Sequence, residues 1–178
     1  MQINPWKVLE TTHPRKDLRV DTCEIPGGRI VEKMVLEFGT WANVVALTPE
    51  QEVILIRQYR HGVGKTIWEI PGGVVDPGET PMQAAGRELL EETGYRAGTL
   101  IETGIVSPNP DNHTNFLHTF LAMDVEKTSG QELDDSEEID VHLIPLSEVL
   151  HMALNGEIIQ AMHISTLFFA LAHLKRIS

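Results

Sequence analysis

Sulfur chemistry is almost absent from this chain. Cys23 is its one cysteine, so a disulfide framework or a thiolate zinc site cannot be built within a single copy. Basic residues are also scarce, with 14 Lys and Arg against 26 Asp and Glu and a formal net charge of −12. So acidic a chain disfavours non-specific nucleic-acid binding, which needs a basic field, but it suits a site that gathers divalent cations. Long hydrophobic runs are missing too. The longest, Leu167 to Leu174, is too short to span a bilayer. The start, Met1-Gln2-Ile3-Asn4-Pro5-Trp6, has no basic stretch followed by an apolar run, so no secretory leader is expected. No internal repeat or low-complexity tract is visible. What remains is a chain of 178 residues, 42% hydrophobic and 22% charged, which reads as globular, cytoplasmic and not membrane-bound.

Turn chemistry divides the chain. Leu18 to Thr22 and Ile30 to Phe38 read as strands around Pro26-Gly27-Gly28. Val44 to Leu47 and Val53 to Gln58 flank Thr48-Pro49-Glu50, and Ile67 to Ile70 runs into Pro71-Gly72-Gly73. Thr80 has the character of a helix N-cap, with Pro81 at the first helical position and Gly94 as a stop after Thr93. Further strands are predicted over Ile101 to Val106, Leu117 to Val125 and Val141 to Ile144, and helices over Ser147 to Leu154 and Ile158 to Lys175. Strands, an inserted helix, more strands and then helices make an α+β or mixed-sheet arrangement, with no regular βαβ alternation.

The inserted helix carries the chemistry. At about 100° per residue, Glu88, Glu91 and Glu92 fall within an arc of roughly 100°. Met82, Ala85 and Leu89 lie on a neighbouring face that can enter a core. Like charges at this spacing repel, and a hard cation such as magnesium, which takes oxygen ligands, removes the penalty. A solvated acidic helix face is the bland alternative for any lone pair of glutamates. The full pattern is Gly73-x5-Glu79-x7-Arg87-Glu88-Leu89-x-Glu91-Glu92-x-Gly94. It fixes eight positions, and at about one in fifteen for each, chance produces it with odds well below about one in a million.

This segment resembles the signature of the Nudix hydrolases, with Tyr95 where an aliphatic residue is more usual. The resemblance implies a Nudix fold, α+β in class: an α/β/α sandwich around a mixed sheet. It implies Glu88 and Glu92 as the main metal ligands, Glu91 as ligand or water-orienting base, and the Gly72 carbonyl as a backbone ligand. Arg87 and Glu79 are implied as a brace between loop and helix. The cofactor expected is Mg2+, with Mn2+ as a substitute.

Arg57-Gln58-Tyr59-Arg60, Trp68-Glu69-Ile70-Pro71-Gly72-Gly73 and Pro110, sixteen residues after Gly94, resemble the ADP-ribose and nucleoside-diphosphate-sugar branch of that family. The branch implies a general base on the acidic loop Leu133 to Ile139, where Glu137 matches best and Glu138 is the reserve. It also implies phosphate contact by Arg60, base or ribose contact by Glu69, base stacking by Trp6, and a pocket shaped by the loop holding Pro110. Trp6 packing on its own strands and Pro110 serving as turn chemistry are the plainer alternatives. Residues 1–39 resemble a β-rich extension used for exchange between subunits, which implies a homodimer, and 40–178 form the Nudix domain.

Other readings fit less well. Gly64-Lys65-Thr66 suggests a phosphate loop, but Tyr59 stands where its first glycine belongs and a strand follows. The eight histidines contain no His-Glu-x-x-His pattern. A nucleotide sensor without catalysis would be expected to lose helix carboxylates, yet all three are present. Hydrolysis of nucleoside triphosphates or CDP-alcohols remains as the alternative within enzymes.

Overall fold

The computed structural model describes residues 4–175, so the first three residues of the stretch read for a leader lie outside it. The chain divides into two compact units. One comprises Met1–Gly39 with Ser107–Phe116, the other Thr40–Val106 with Leu117–Ser178. The sequence division into 1–39 and 40–178 placed the 107–116 loop in the second part, whereas it clusters with the first.

In the first unit, β1 (Lys7–Arg15), β2 (Leu18–Glu24) and β3 (Ile30–Leu36) form an antiparallel sheet in that order. The sequence reading missed β1, because its polar residues and Pro14 show no alternation. Pro14 is tolerated since β1 is an edge strand whose register slips between Thr12 and Arg15. Every residue of β1 is exposed. Asp21 anchors the sheet, accepting from the Thr11 hydroxyl at 2.7 Å and from Arg19 Nε at 3.0 Å. Leu36 bridges to His113 in the 107–116 loop.

In the second unit, β4 (Trp41–Leu47), β5 (Glu52–Arg60), β6 (Lys65–Glu69) and β7 (Gly72–Val74) precede helix α1 (Pro81–Thr93). Then come β8 (Tyr95–Arg96), β9 (Thr99–Val106), β10 (Leu117–Met123), β11 (Glu126–Lys127), β12 (Ile139–Pro145), α2 (Leu146–Leu154) and α3 (Ala161–His173). The main sheet has the order β12-β5-β4-β10-β9, with β6 on β5 and β7 on β4. It is mixed, because β10 runs parallel to β4 while the other pairs are antiparallel. Strand β7, Gly72-Gly73-Val74, read as a turn in the sequence because of its glycines. Its pairing with Asn43, Ala42 and Trp41 makes it a strand.

Alternate residues of the central strands feed two cores, as the pleat requires. Val45, Leu47, Leu55 and Leu121 pack with Val149, Leu167 and Leu171 of α2 and α3. Ala42, Val44, Ala46, Ile54 and Phe120 pack with Ala84, Ala85 and Leu89 of α1. The sheet is therefore filled from both faces, and the unit is an α/β/α sandwich. Tyr95 is buried in the second core, which accommodates the aromatic ring at that place in the motif. Met82 departs from expectation at 46% exposure, and Ala84 fills the buried face with Ala85 and Leu89. Helix α3 begins at Ala161 rather than Ile158, because Gly156 takes φ +74° and Gln160 is extended. No helix among the described residues is long and apolar enough to cross a membrane.

Candidate active site

Local chemistry fixes α1 at both ends. Thr80 accepts from the Gln83 amide at 3.3 Å while the Gln83 side chain accepts from the Thr80 amide at 2.9 Å. This reciprocal box satisfies two of the helix's orphan donors. At the other end, Gly94 adopts φ +77° and its amide donates to the Leu90 carbonyl at 2.7 Å, a left-handed stop open to glycine at little cost. The helix is thus held in register against β7 and the loop between them.

Arg87 ties that loop to the helix. Its Nε donates to Glu79 Oε1 at 3.1 Å and its Nη2 to Glu79 Oε2 at 3.1 Å, while Nη1 donates to Glu88 at 2.9 Å and to Glu91 at 2.9 Å. Hydrogen bonds from Arg87 hold the Glu79 carboxyl below its usual range. Nη2 also reaches the Val74 carbonyl at 3.2 Å. Opposite Glu88 stands Gly73, where a Cβ would collide with the Glu88 carboxylate. Here the motif glycine makes room for a charge.

Glu92 is the buried member of the acidic face, at 4% exposure. Its Oε2 accepts the Gly72 amide at 2.9 Å. Burial pushes its carboxyl up to about 8. The Gly72 hydrogen bond works against that rise, and the charges of Glu88, Glu137 and Glu69 add to it. Burial also raises Glu88, with Arg87 opposing.

Gly72, Gly73, Glu88, Glu92, Asp134 and Glu137, with Arg60, Asp76, Arg87, Trp41 and Val74, line a cavity of about 330 Å³. All of them belong to the second unit. Of the two loop acids, Glu137 lines this cavity, whereas Glu138 faces a separate depression with Gln58, Tyr59 and Ser136. Glu137 is steadied by its loop: its carboxylate accepts the Asp134 amide at 3.1 Å, and its own amide donates to the Asp134 carbonyl at 2.9 Å. Glu91, read as a ligand or base, does not line the cavity and pairs with Arg87 instead.

Arg87 therefore offsets the acidic repulsion in part, and burial and neighbouring charge still raise both Glu88 and Glu92. Among the described residues, no three His, Cys, Asp or Glu side chains converge as a ready-made cation cage, in keeping with Arg87 drawing Glu88 aside. The donor set nevertheless fits a hard divalent cation. It offers oxygen donors, the carboxylates of Glu88 and Glu92 beside the Gly72 backbone, with one carboxyl held near 8 by burial and neighbouring negative charge.

Arg60 and Glu69 form a fork. Arg60 Nε lies 3.0 Å from both Glu69 oxygens and Nη2 lies 2.7 Å from Oε2. Glu69 is 1% exposed. Glu69, expected to contact a base or ribose, has its carboxylate engaged by Arg60 and lines a further cavity with Trp41, Arg60 and Ile67. The sequence reading overlooked Asn43, Trp41, Asp134 and His163. Nothing in the sequence singled out His163 among the eight histidines, since α3 also carries His173, Ser165 and Thr166. Trp6 and Pro110 belong to the first unit. There, Lys33 Nζ sits 5.5 Å from the centre of the Trp6 ring. Pro110 occupies a turn in which the His113 amide donates to the Asn109 carbonyl at 2.9 Å.

Comparison with known proteins shows the family. Residues 39–162 match the NUDIX domain family. An ADP-ribose pyrophosphatase of Bacillus subtilis is 32% identical over 146 residues, which is 82% of this chain and 79% of that protein. One from Mycobacterium tuberculosis is 32% identical over 150 residues, covering 83% and 72%. The crystal structure of an ADP compounds hydrolase superposes with a TM-score of 0.85 at 23% identity, covering 99% of this chain and 97% of that one. Sequence pattern, sandwich and acid-lined cavity converge: this chain belongs to the Nudix family of hydrolases.

Proposed function

We propose that this enzyme hydrolyses the pyrophosphate of nucleoside diphosphate sugars, ADP-ribose foremost, to a nucleoside monophosphate and a sugar phosphate in the cytoplasm. The observation that carries the reading is the cavity that Glu88, Glu92 and Glu137 line together with Arg60. Carboxylates alone would repel a diphosphate, and a guanidinium alone would bind one without activating water. The combination serves a diphosphate held together with divalent cations. The names of the relatives from B. subtilis and M. tuberculosis favour ADP-ribose within that class.

Glu88 and Glu92 would hold Mg2+, or Mn2+ in its place, with the Gly72 carbonyl as a backbone ligand. When bound, the cation neutralises phosphate charge and acidifies water. The chain's own residues supply the rest. Arg60 grips a phosphate oxygen as a planar, permanently charged donor. Glu137 takes the proton of the attacking water, held by its loop within the same cavity. Arg87 keeps Glu79 and the 75–80 loop on the helix, so that Gly73 and Glu88 stay opposed. Trp6 and Pro110 are kept as proposed substrate contacts. The fully exposed β1, with Val8 and Leu9 uncovered, fits residues 1–39 as a dimerisation element of a homodimer.

The test is phosphate release through a coupled phosphatase from ADP-ribose, ADP-, GDP- and UDP-sugars, CDP-choline and nucleoside triphosphates, with Mg2+ and with chelator. Mg2+-dependent cleavage of ADP-ribose or another diphosphate sugar is expected. Cleavage of triphosphates or CDP-choline alone would replace the substrate class. Binding of ADP-ribose without cleavage would make the protein a sensor.

A further inference from the structure

A row of buried polar side chains joins α3 to the cavity. Asn43 is 0% exposed, Glu69 1% and His163 3%. Asn43 Nδ2 lies 3.2 Å from His163 Nδ1, and His163 Nε2 lies 3.5 Å from Glu69 Oε1. Glu69 in turn holds Arg60 through both its oxygens. Asn43 also pairs with Gly72 in the β4–β7 ladder, and the Gly72 amide binds Glu92. Four elements, α3, β4, β5 and β6, thus contribute one polar group each to a chain that ends on Arg60. Polar burial of this extent costs stability unless each group has a partner.

The partners fix the imidazole's state. With the Asn43 amide donating to Nδ1, the neutral ring carries its proton on Nε2, and that N–H faces the Glu69 carboxylate. The opposite tautomer would set a lone pair against a carboxylate oxygen. Burial holds His163 below its ordinary range, with Glu69 opposing, which keeps the ring neutral. Nε2 makes no hydrogen bond among the described residues, and the Glu69 carboxylate 3.5 Å away is the charge it faces. Burial would push Glu69 up, but the close approach of His163 and the hydrogen bonds from Arg60 outweigh it and keep the carboxylate ionised.

Arg60 spends Nε and Nη2 on Glu69, and Nη1 takes no part in that pairing. A guanidinium held along its Nε–Nη2 edge has its remaining donors aimed before ligand arrives, so less rotamer entropy is lost on binding. Loosening Glu69 would give up that advantage without touching the carboxylates of α1.

We propose that His163 is a positioning residue for substrate binding: its Nε2–H steadies the Glu69 carboxylate that aims Arg60 at the diphosphate. The carboxyl-terminal helix thereby sets the affinity of a cavity that His163 itself does not line. The inference rests on the proposed reading of the cavity as a diphosphate site.

A double-mutant cycle tests it. His163→Leu removes the N–H at similar volume, His163→Gln returns an amide N–H near the place of Nε2, and each is combined with Arg60→Ala. Kinetics on ADP-ribose and calorimetric titration with ADP are read together, with melting temperature as the control for folding. His163→Leu should raise KM for ADP-ribose and Kd for ADP about tenfold, leave kcat within about threefold, and leave Mg2+ affinity unchanged. His163→Gln should recover most of the loss. In the Arg60→Ala background, His163→Leu should add nothing, because its route to substrate is gone. An unchanged KM in His163→Leu, an equal further loss in the Arg60→Ala background, or a glutamine variant as impaired as leucine while still folded would each overturn the proposal. If the leucine variant does not fold, His163→Met supplies the apolar replacement. A wild type that binds ADP with this coupling but cleaves no diphosphate sugar would sink the proposed activity and leave the positioning role standing. A wild type that binds no ADP would overturn both.

Discussion

The carboxylate of Glu92 accepts the main-chain amide of Gly72 at 2.9 Å across twenty residues of sequence. One hydrogen bond thus links the acidic helix to the strand beside it. It is a weak anchor for a charge so deeply buried, since a neutral amide would accept the same bond. Glu92→Gln should therefore fold, keep the Gly72 contact and lose turnover by orders of magnitude through loss of a charged ligand. Steady-state rates on ADP-ribose check this, and wild-type-like turnover would remove Glu92 from the metal site.

The same burial makes a pH prediction. The Glu92 carboxyl stands at about 8 in the folded chain, against an ordinary 4.5. The folded state therefore binds a proton that the unfolded state releases. Its contribution to stability is fully present below about pH 4.5 and is lost as pH rises towards 8, at a limiting rate of about 1.4 kcal/mol per pH unit. Without metal, the melting temperature of Glu92→Gln should pull ahead of wild type steadily from pH 5 to pH 8. Added Mg2+ should raise the wild-type melting temperature more at pH 8 than at pH 6, with proton release on binding. A gap between the two proteins that does not change with pH would contradict the assigned shift.

Glu137 and Glu138 are adjacent in sequence but face different cavities. Glu137→Gln should slow turnover by about 10²- to 10⁴-fold, the usual worth of a general base, with Mg2+ affinity nearly intact. Glu138→Gln should stay within about threefold of wild type, as an exposed change away from the chemistry. Equal losses in the two variants would mean that the acidic loop acts through its charge and holds no single base.

The motif helix was legible because its signals are local. N-cap threonine, proline, spaced carboxylates and terminal glycine all lie within fifteen residues, and the structure places α1 over the span those signals mark. Strand β1 was illegible because an exposed edge strand needs no alternation. Met82 misled because helical phase gives a direction and says nothing of what lies there. The acid cavity was half legible. Glu88 and Glu92 carry a pattern, but Asp134 and Trp41 come to it only through tertiary folding. The Asn43–His163–Glu69 row was invisible for the same reason: its members are 26 and 94 residues apart in successive steps when ordered along the chain from Asn43 to Glu69 to His163.

Gly73 should tolerate no side chain. A Cβ there meets the Glu88 carboxylate, and Glu88 is already tied to Arg87. Gly73→Ala should displace Glu88, lower Mg2+ affinity and reduce kcat, with only a modest fall in melting temperature because the clash lies at the cavity rim and outside both cores. Calorimetric titration with Mg2+ separates this from general destabilisation. Unchanged Mg2+ affinity in a folded Gly73→Ala protein would show that Glu88 is free to move without consequence.

Arg87 grips Glu79 with two nitrogens and reaches Glu88 and Glu91 with the third. A lysine keeps the charge but cannot span three carboxylates with one ammonium group. Arg87→Lys should therefore cost about 1–3 kcal/mol, the range for hydrogen bonds to charged groups left unmade, and should loosen the 75–80 loop. The loosening is the sharper readout. Hydrogen exchange should accelerate at the Glu79 amide, which donates to the Asp76 carbonyl at 3.0 Å, and at the Asp76 amide, which donates to the Glu79 carboxylate at 3.3 Å. Adding Glu79→Gln to Arg87→Lys should then do little more, since the pair is already broken. Full additivity of the two changes, with exchange in the loop unaltered, would mean that the loop is held on the helix by its own turn and that the Arg87 fork serves only the carboxylates of α1.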